Sequence, residues 1–426
     1  MIIGNMIGAG ILRAPGTIAT QLPDVWLFLG VWIIAGLYAF LGAISLAELG
    51  VLIPRSGGQY VFARYALGEY AGFIVGWSDW ISTSGSTAAL CLVVGGFTVA
   101  LFPQLGSSTS VIVIATVTSI LFALLQWRGI VMGSLAQTIT SLVKAVAFIS
   151  LIVAAFVLGN GGALANAPLN RPALSFALIT AIVVSLQAAI YTYDGWTGVI
   201  YFSEEVNHPA KDVPRSMIGG VLSVIAIYLL VNLALLYAMP ITQIAGKDFA
   251  AGAAADVLFG RYGDPIFRTL TIISMFSAIN SCHLMATRVL YAMSRDGLFT
   301  QRAAVVNKGG TPGFALLLST GISLLFIVFG KTFEQVINVL AFFFVANYAL
   351  SFISVFVLRW REPGRERPYK AWGYPWTTGL ALVGSVIFLA GAIKSDTQNS
   401  LYAVLLLALS YPAFRVVKLL TSASRG

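Results

Sequence analysis

The sequence predicts an all-α membrane protein with twelve transmembrane helices, and two observations support this. The chain of 426 residues is 58% hydrophobic and 10% charged, whereas a soluble globular domain carries about 25% charged residues. Uncharged stretches such as 25–47, 172–193 and 335–358 recur along the chain. Each of them is long enough to cross about 30 Å of hydrocarbon, which takes roughly 20 helical residues.

The distribution of charge favours a lipid bilayer over a nucleic-acid partner. The formal net charge is +9, but most of the 25 Lys and Arg residues fall in alternate loops. This asymmetry follows the positive-inside rule. It predicts that both termini are cytoplasmic, in a plasma membrane or a bacterial inner membrane. Cys91 and Cys282 lie in apolar stretches, so we expect neither a disulfide framework nor a metal site.

Twelve spans account for the hydrophobic stretches, and they divide into two sets of five and a pair. We place them at about residues 1–20, 25–53, 71–101, 110–127, 131–158, 174–203, 216–238, 266–289, 313–330, 335–358, 374–393 and 398–418. The first set (1–158) and the second (174–358) each open on an interrupted helix followed by a long uninterrupted one. Because five is an odd number, the second set crosses in the opposite orientation, which predicts an inverted repeat. Spans 11 and 12 (374–420) are appended.

The two interrupted spans contain glycine near their middle. Span 1 carries Gly8-Ala9-Gly10 and span 6 carries Tyr193-Asp194-Gly195. Glycine lets another group approach the backbone closely. Backbone groups that leave a helix inside the membrane need a buried partner, a cavity or a ligand. Such a pair of breaks, one in each half, indicates the binding site of a transporter; close helix packing through small residues is the alternative.

Four stretches of the sequence resemble one family. They are GNMIGAGI (4–11), AELGVLIPRSGGQYVFARYALG (47–68), YDGWTGVIYFSEEVNHPAKDVPRS (193–216) and SRDGLF (294–299). Together they resemble the amino acid–polyamine–organocation (APC) superfamily, and they are most similar to bacterial permeases of the L-type amino acid transporter kind. The resemblance implies a LeuT/APC-like fold, in which a 5+5 inverted repeat has discontinuous helices 1 and 6.

The resemblance also implies where a substrate binds. In the related family, N–H groups at the positive end of the second half of helix 1 bind the substrate carboxylate. Carbonyl groups at the break of helix 6 accept from the substrate ammonium, and an aromatic residue closes over it. The substrate-binding residues implied in this way are Ile7, Gly8, Ala9, Gly10, Ile11, Tyr191, Thr192, Tyr193, Asp194 and Gly195.

The sequence departs from the family pattern at two of these positions. Ala9 stands where the family usually has Ser, which removes a hydroxyl but leaves the backbone donors. Tyr191 stands where Phe is commoner, which adds a polar tip to the closing side chain. Asp194 is open to two interpretations: it caps the second half of helix 6, or it contacts a cationic substrate. Aromatic packing is the alternative for the whole segment 191–196.

A lysine lies in the middle of span 5. A charge at mid-membrane costs at least about 2.5–3.5 kcal/mol, so Lys144 indicates a function. In the related family a lysine here occupies the place of a sodium ion and bridges span 5 to spans 1 and 8. Ser274 and Ser277, three residues apart on one face of span 8, are its expected partners. The prediction is transport without sodium.

Further charged residues cluster near the predicted cytoplasmic ends of the spans. They either form ion pairs that act as an inner gate or are solvated interface charges. The candidates are Glu48, Arg55, Glu204, Glu205 and Arg288. Asp79 lies inside span 3 without an evident partner. Arg13 either lines the outer vestibule or pairs with an acid such as Asp24.

These inferences lead to a function. We expect a secondary transporter of amino acids, an exchanger or a proton-coupled symporter, that works without sodium by alternating access. Small and apolar residues of spans 3, 8 and 10 favour a neutral substrate side chain. The alternatives are a cationic amino acid or polyamine exchanger and, from another class, a non-transporting sensor or a channel.

Enzyme activity and covalent partners are not expected. The sequence contains no catalytic motif, metal-ligand set or phosphate-binding loop, so we expect no cofactor. L-type relatives in animals pair with a partner through a cysteine in an outer loop. Since no cysteine falls in a predicted outer loop, we expect no disulfide-linked accessory subunit.

Overall fold

The structure, a computed structural model, describes residues 6–55, 57–129, 134–159, 161, 173–330 and 332–423. It describes their side chains apart from those at 134–141, 143, 144, 202, 204, 205 and 420–423. Throughout this part of the chain the regular secondary structure is helical, which agrees with the predicted all-α class.

The α-helices of the described residues follow one another with short connections. They are α1 (Ala9–Gln21), α2 (Val25–Leu52), α3 (Gln59–Leu67), α4 (Glu69–Leu101), α5 (Ser108–Trp127), α6 (Ser134–Leu158), α7 (Phe176–Tyr193), α8 (Pro209–Ala238), α9 (Ile241–Ile244), α10 (Ala250–Phe259), α11 (Gly263–Arg295), α12 (Gly313–Gly330), α13 (Phe333–Arg361), α14 (Trp376–Ser395), α15 (Thr397–Ala408) and α16 (Ser410–Ala423). Short 3₁₀ segments lie at Pro103–Leu105, Gly198–Glu205 and Gln301–Ala304.

Ten helical segments of the described chain are long and apolar enough to cross a membrane. They are α2, α4, α5, α7, α8, α11, α12, α13, α14 and the joined pair α15–α16, and they coincide with predicted spans 2–4 and 6–12. At predicted span 1, α1 has 13 residues. At predicted span 5, the apolar part of α6 covers Ala145–Leu158. The total of twelve spans and the inverted repeat therefore stay predictions.

A side-chain cap fixes where α2 begins. The carboxylate of Asp24 accepts hydrogen bonds from the backbone N–H groups of Trp26 and Leu27. Such a cap satisfies N–H groups that a helix leaves unpaired at its start. The alternative that Asp24 pairs with Arg13 is wrong, because the guanidinium of Arg13 pairs with other carboxylates.

Burial distinguishes central helices from peripheral ones. In α13, 78% of the most apolar 18-residue stretch is buried, and in α4 the share is 67%. The corresponding share is only 22% in α5 and in the α15–α16 segment. The broken helices α1 and α7 pack on each other and next to this central pair. A site between the breaks therefore lies inside the bundle.

Candidate functional site

Both predicted interruptions are present. α1 begins at Ala9, directly after Gly8, whose backbone is extended with φ −128° and ψ −154°. α7 ends at Tyr193, and Gly195 adopts φ +105° on the way to the next 3₁₀ segment. Glycine reaches that φ without the strain that a side chain brings. The part of span 1 at residues 1–5 lies outside the described residues.

A cavity of about 120 Å³ lies between the two breaks. One buried water needs only about 10–15 Å³, so a small solute fits. Most of the predicted binding residues line this cavity, namely Gly8, Ala9, Gly10, Tyr191, Thr192, Asp194 and Gly195. The remaining three point elsewhere: Ile7 lines a smaller cavity nearby, and Ile11 and Tyr193 are buried in the core.

The two breaks touch each other closely. A Cβ added at Gly10 would lie 2.5 Å from Oγ1 of Thr192 and 2.9 Å from its Cα. Tyr228 of α8 holds the carbonyl groups on both sides, since its hydroxyl oxygen lies 2.6 Å from the carbonyl of Met6 and 2.9 Å from that of Thr192. Its ring packs edge-on against Trp32. Tyr228 therefore fixes the two breaks relative to each other.

Asp194 bonds across the cavity and does not cap a helix. It follows the last residue of α7, and the hydroxyl of Tyr348 in α13 donates to its carboxylate. The residue at the start of the following 3₁₀ segment is Thr197, and no side chain caps that segment. The prediction that Asp194 caps the second half of helix 6 is wrong, because its carboxylate is engaged by α13 and lines the cavity.

A second buried carboxylate lines the same cavity. The hydroxyl of Tyr201 donates to Asp79 of α4, with its oxygen 2.7 Å from Oδ1 and 2.8 Å from Oδ2. Both side chains are buried. Because Tyr201 belongs to the 3₁₀ segment after the break, this hydrogen bond ties the second half of the interrupted helix to α4.

The remaining lining is more polar than the sequence predicts. The small polar residues that α4 and α11 contribute are Thr83, Ser86, Ser277, Ser281 and Cys282. Leu90, Met285 and Phe344 add apolar surface. The expectation for spans 3, 8 and 10 is right about small side chains and wrong about their polarity. Neither Lys nor Arg occurs among the described lining residues.

An aromatic lid and an ion pair close one end of the cavity. The ring of Tyr191 lies edge-on to Phe333 and nearly parallel to Phe344, with centroids 5.7 Å and 6.3 Å apart. The guanidinium of Arg13 lies 4.9 Å above the Phe333 ring and 2.9 Å from Oε1 of Glu334. We call Arg13, Tyr191, Phe333 and Glu334 the gate end.

Two ion-pair clusters close the opposite end, which we call the arginine end. In the first, Glu48 of α2 lies 2.6 Å from Arg359 and 3.1 Å from Arg367. In the second, Asp296 lies 3.1 Å from Arg55 and 3.0 Å from Arg64. These contacts join α2 and the α2–α3 connection to the ends of α13 and α11.

The predicted inner gate is present in part. Glu48 and Arg55 do form ion pairs, but in separate clusters and with partners that the sequence analysis did not select. The side chains of Glu204 and Glu205 lie outside the described residues. Arg288 lies on α11, about two helical turns before its end.

A smaller cavity of about 30 Å³ also touches Gly8, between α1, α6 and α11. Ala147 and Phe148 of α6 line it, and position 144 shares their face of the helix. The side chain of Lys144 lies outside the described ones. The hydroxyl of Ser274 lines this cavity, is buried and has no hydrogen-bond partner among the described residues. Ser277 lines the larger cavity instead.

The sequence analysis missed three tyrosines that shape the site. Tyr201, Tyr228 and Tyr348 are buried, and each donates a hydrogen bond beside a break or to a cavity carboxylate. A phenol in an apolar span is a usable signal, because a buried tyrosine hydroxyl usually finds a polar partner. The identity of that partner is not visible from the sequence.

Residues 1–410 match the sequence model of the family described as amino acid permease. The chain belongs to the amino acid permease family. The predicted resemblance to the APC superfamily is thereby confirmed, and the protein is a multi-pass membrane transporter and not an enzyme.

Characterised relatives agree along most of their length. The chain is 29% identical to the serine/threonine exchanger SteT of Bacillus subtilis (strain 168) over 424 residues, which cover 98% of this chain and 94% of the relative. It is 27% identical over 412 residues to the b(0,+)-type amino acid transporter 1 of Rattus norvegicus, covering 95% and 83%. It is 28% identical over 379 residues to the Asc-type amino acid transporter 1 of Mus musculus, covering 87% and 71%.

Proposed function

We propose that this permease is a sodium-independent secondary transporter of neutral amino acids, an exchanger or a proton-coupled symporter, that works by alternating access. The observation that carries the proposal is the cavity between the two breaks. The N-terminal end of α1 and the C-terminal end of α7 meet there. Helix ends carry partial positive and partial negative charge, respectively, so together they match the two charges of a zwitterion.

The substrate carboxylate binds at the start of α1. The first N–H groups of a helix lack intrahelical acceptors, and no side chain caps α1 at Gly8. Gly8 and Gly10 leave these donors open to the cavity, and the small side chain of Ala9 does not cover them. A helix N-terminus with free donors is a site for anions.

The substrate ammonium binds at the end of α7. The last carbonyl groups of that helix have no intrahelical donor, and Thr192 lies at the cavity wall. The carboxylate of Asp194 lies beside them and adds negative charge. The ring of Tyr191 then covers the bound amino acid from the gate end.

The substrate side chain faces α4 and α11. Ser86, Ser277 and Ser281 offer hydroxyl groups in a cavity of about 120 Å³, which favours a small neutral side chain that accepts or donates hydrogen bonds. The relative from Bacillus subtilis is named a serine/threonine exchanger. We extend that substrate class to this protein as a proposal.

Transport without sodium rests on Lys144. Its ammonium group would occupy the smaller cavity and satisfy the buried hydroxyl of Ser274, which has no partner among the described residues. A fixed positive charge beside the break at Gly8 performs the stabilising role of a bound cation. Ser277 lies in the larger cavity and is not needed for this role.

The transport cycle opens the gate end and the arginine end in turn. The first two helices of each five-span repeat, spans 1, 2, 6 and 7, rock against the remainder. We place the arginine end and both termini in the cytoplasm, because most Lys and Arg residues fall on that side. The exposed residues Trp360, Trp372 and Trp376 near that end suit a membrane–water interface.

A cationic amino acid or polyamine is the second candidate substrate. Asp79 and Asp194 both line the cavity, and no Lys or Arg is found among its described lining residues. A substrate with a positively charged side chain would neutralise one of these carboxylates. Each carboxylate already accepts from a tyrosine hydroxyl, which is why we rank the neutral substrate first.

Counterflow in liposomes tests the proposal. Purified protein in vesicles loaded with L-serine should take up labelled L-serine in the absence of sodium, with a rate that saturates. Gly10→Ala should lower that rate at least about tenfold, because the new Cβ would meet Thr192 and separate the breaks. The matched control is Gly30→Ala in α2, where an added Cβ meets nothing within 4 Å.

Other outcomes separate the alternatives. Strict dependence on sodium would contradict the role of Lys144. Uptake that is blocked by L-arginine or agmatine but not by L-leucine would support the second candidate. Flux that does not saturate would indicate a channel, and binding without flux would indicate a sensor.

A further inference from the structure

Asp396, between α14 and α15, gathers side-chain amides from three helices. Its Oδ2 lies 3.3 Å from Nε2 of Gln187 in α7 and 3.1 Å from Nδ2 of Asn338 in α13. Nδ2 of Asn399 in α15 lies 3.0 Å from both carboxylate oxygens. The carboxylate therefore connects the appended C-terminal helices to two helices of the central bundle.

Helix capping does not explain this aspartate. Asp396 occupies the position before the first residue of α15, where an aspartate usually accepts from backbone N–H groups. Its side chain makes no such bond. A carboxylate only accepts, and it offers about four lone-pair sites, so it can take three amide donors at once. An asparagine would turn an NH₂ group towards those donors.

The two bundle amides lie one helical turn from residues of the gate end. Gln187 precedes Tyr191 by four residues on α7, and Asn338 follows Glu334 by four residues on α13. Residues at that spacing lie above one another on a helix face. Gln187 is completely buried, so its amide has a fixed environment. Holding both amides at one carboxylate fixes α7 against α13 at the level of the lid.

We propose that Asp396 is a positioning residue for the gate, which braces α7 against α13 so that Tyr191 and Phe333 close over the bound substrate. The appended helices thereby acquire a role in substrate occlusion. This inference rests on the proposed transport function, because the brace acts only if a substrate is enclosed between Tyr191 and the breaks.

Cys282 provides the reporter for a test. It lines the cavity and Cys91 is fully buried, so alkylation of purified protein carrying Cys91→Ala reports access to the cavity. L-serine, L-leucine and L-arginine are tried in turn, and the one that slows the alkylation most is used at saturation. If none of them slows it in this parent protein, the proposed function fails, and the inference has no basis.

Asp396→Asn should raise the alkylation rate in the presence of that amino acid about tenfold, towards the rate without it. Gln187→Met keeps the shape of the side chain, removes the donor to Asp396, and should act in the same direction. Asn399→Ala is the matched control: it removes a donor to the same carboxylate that is attached to neither gate helix, and protection should persist. Size-exclusion elution verifies that each variant is folded.

The brace is refuted if the parent is protected and folded Gln187→Met and Asp396→Asn variants are protected equally well. It is also refuted if Asn399→Ala loses protection as fully as they do, because the effect would then come from a general loosening of α15. A gain in the half-saturating substrate concentration with an unchanged maximal counterflow rate would support the brace further.

Discussion

The gate end and the arginine end close the same cavity by different means. At the gate end, an aromatic lid lies beneath the ion pair of Arg13 and Glu334, and the side chain of Glu334 is 39% exposed. At the arginine end, the side chains of Glu48 and Asp296 are 2% and 7% exposed, and two arginines bind each of them.

This difference teaches which end is easier to open. An exposed ion pair contributes only about 0–1 kcal/mol to stability. Separating a buried carboxylate from its partners costs about 3–5 kcal/mol, because it leaves charge without compensation. We therefore expect the substrate-free protein to open at the gate end more readily than at the arginine end.

The largest effect is expected at Glu48. Glu48→Gln leaves Arg359 and the almost fully buried Arg367 without a carboxylate, so the protein should lose about 3–5 kcal/mol of unfolding free energy. Thermal unfolding in detergent measures this as a lower melting temperature. The same substitution at Glu334 is the matched control. Equal losses at the two positions would contradict the difference between the ends.

A smaller effect is expected at Asp296. Asp296→Asn weakens the contacts to Arg55, which is half exposed, and Arg64, so we expect a loss of about 1–2 kcal/mol. Opening of the arginine end should also speed the alkylation of Cys282 in the absence of substrate. Asp264→Asn is the control, since its partner Arg268 lies on the same helix. An unchanged alkylation rate would show that this cluster does not close the cavity.

Glu334→Gln should affect binding more than stability. We expect the unfolding free energy to change by no more than about 1 kcal/mol. The substrate concentration that half-saturates counterflow should rise roughly threefold, which corresponds to about half of a tenfold step in affinity on a logarithmic scale. Concentration-dependent counterflow measures this. A tighter apparent affinity would mean that the ion pair hinders occlusion.

The smallest effect is a pH dependence at the arginine end. The hydrogen bonds that Arg365 and Tyr65 donate to Glu362 lower the pKa of that carboxyl below its ordinary value of 4.5. Its stabilising contribution is therefore complete above that ordinary value and is lost as pH falls through the lowered pKa of the folded protein. The melting temperature should fall slightly more steeply below about pH 4.5 in the parent than in Glu362→Gln.

The sequence allowed the spans and both breaks to be predicted, because those signals are local. Hydrophobic length identifies a helix that crosses the membrane, and the glycines at Gly8 and Gly195 mark the places where the helices stop. Both breaks lie within a residue of the predicted positions. The resemblance supplied the roles of these residues, and those roles stay proposals.

Partners that are distant in sequence could not be predicted. Asp79 and Tyr201 are separated by 122 residues, and Glu48 and Arg359 by 311, so only the packed bundle brings them together. The interpretation of Asp194 as a cap failed for the same reason. It applied a local rule to a carboxylate that a tyrosine from another helix binds in the tertiary structure.

An experimental structure with the transported amino acid bound, determined without sodium, tests the central claim most directly. We expect the substrate carboxylate within about 3 Å of backbone nitrogen atoms at the start of α1. Its amino group should lie at the carbonyl end of α7, beneath the ring of Tyr191. An amino acid bound elsewhere in the bundle, with the backbone groups at both breaks facing only protein, would contradict the account.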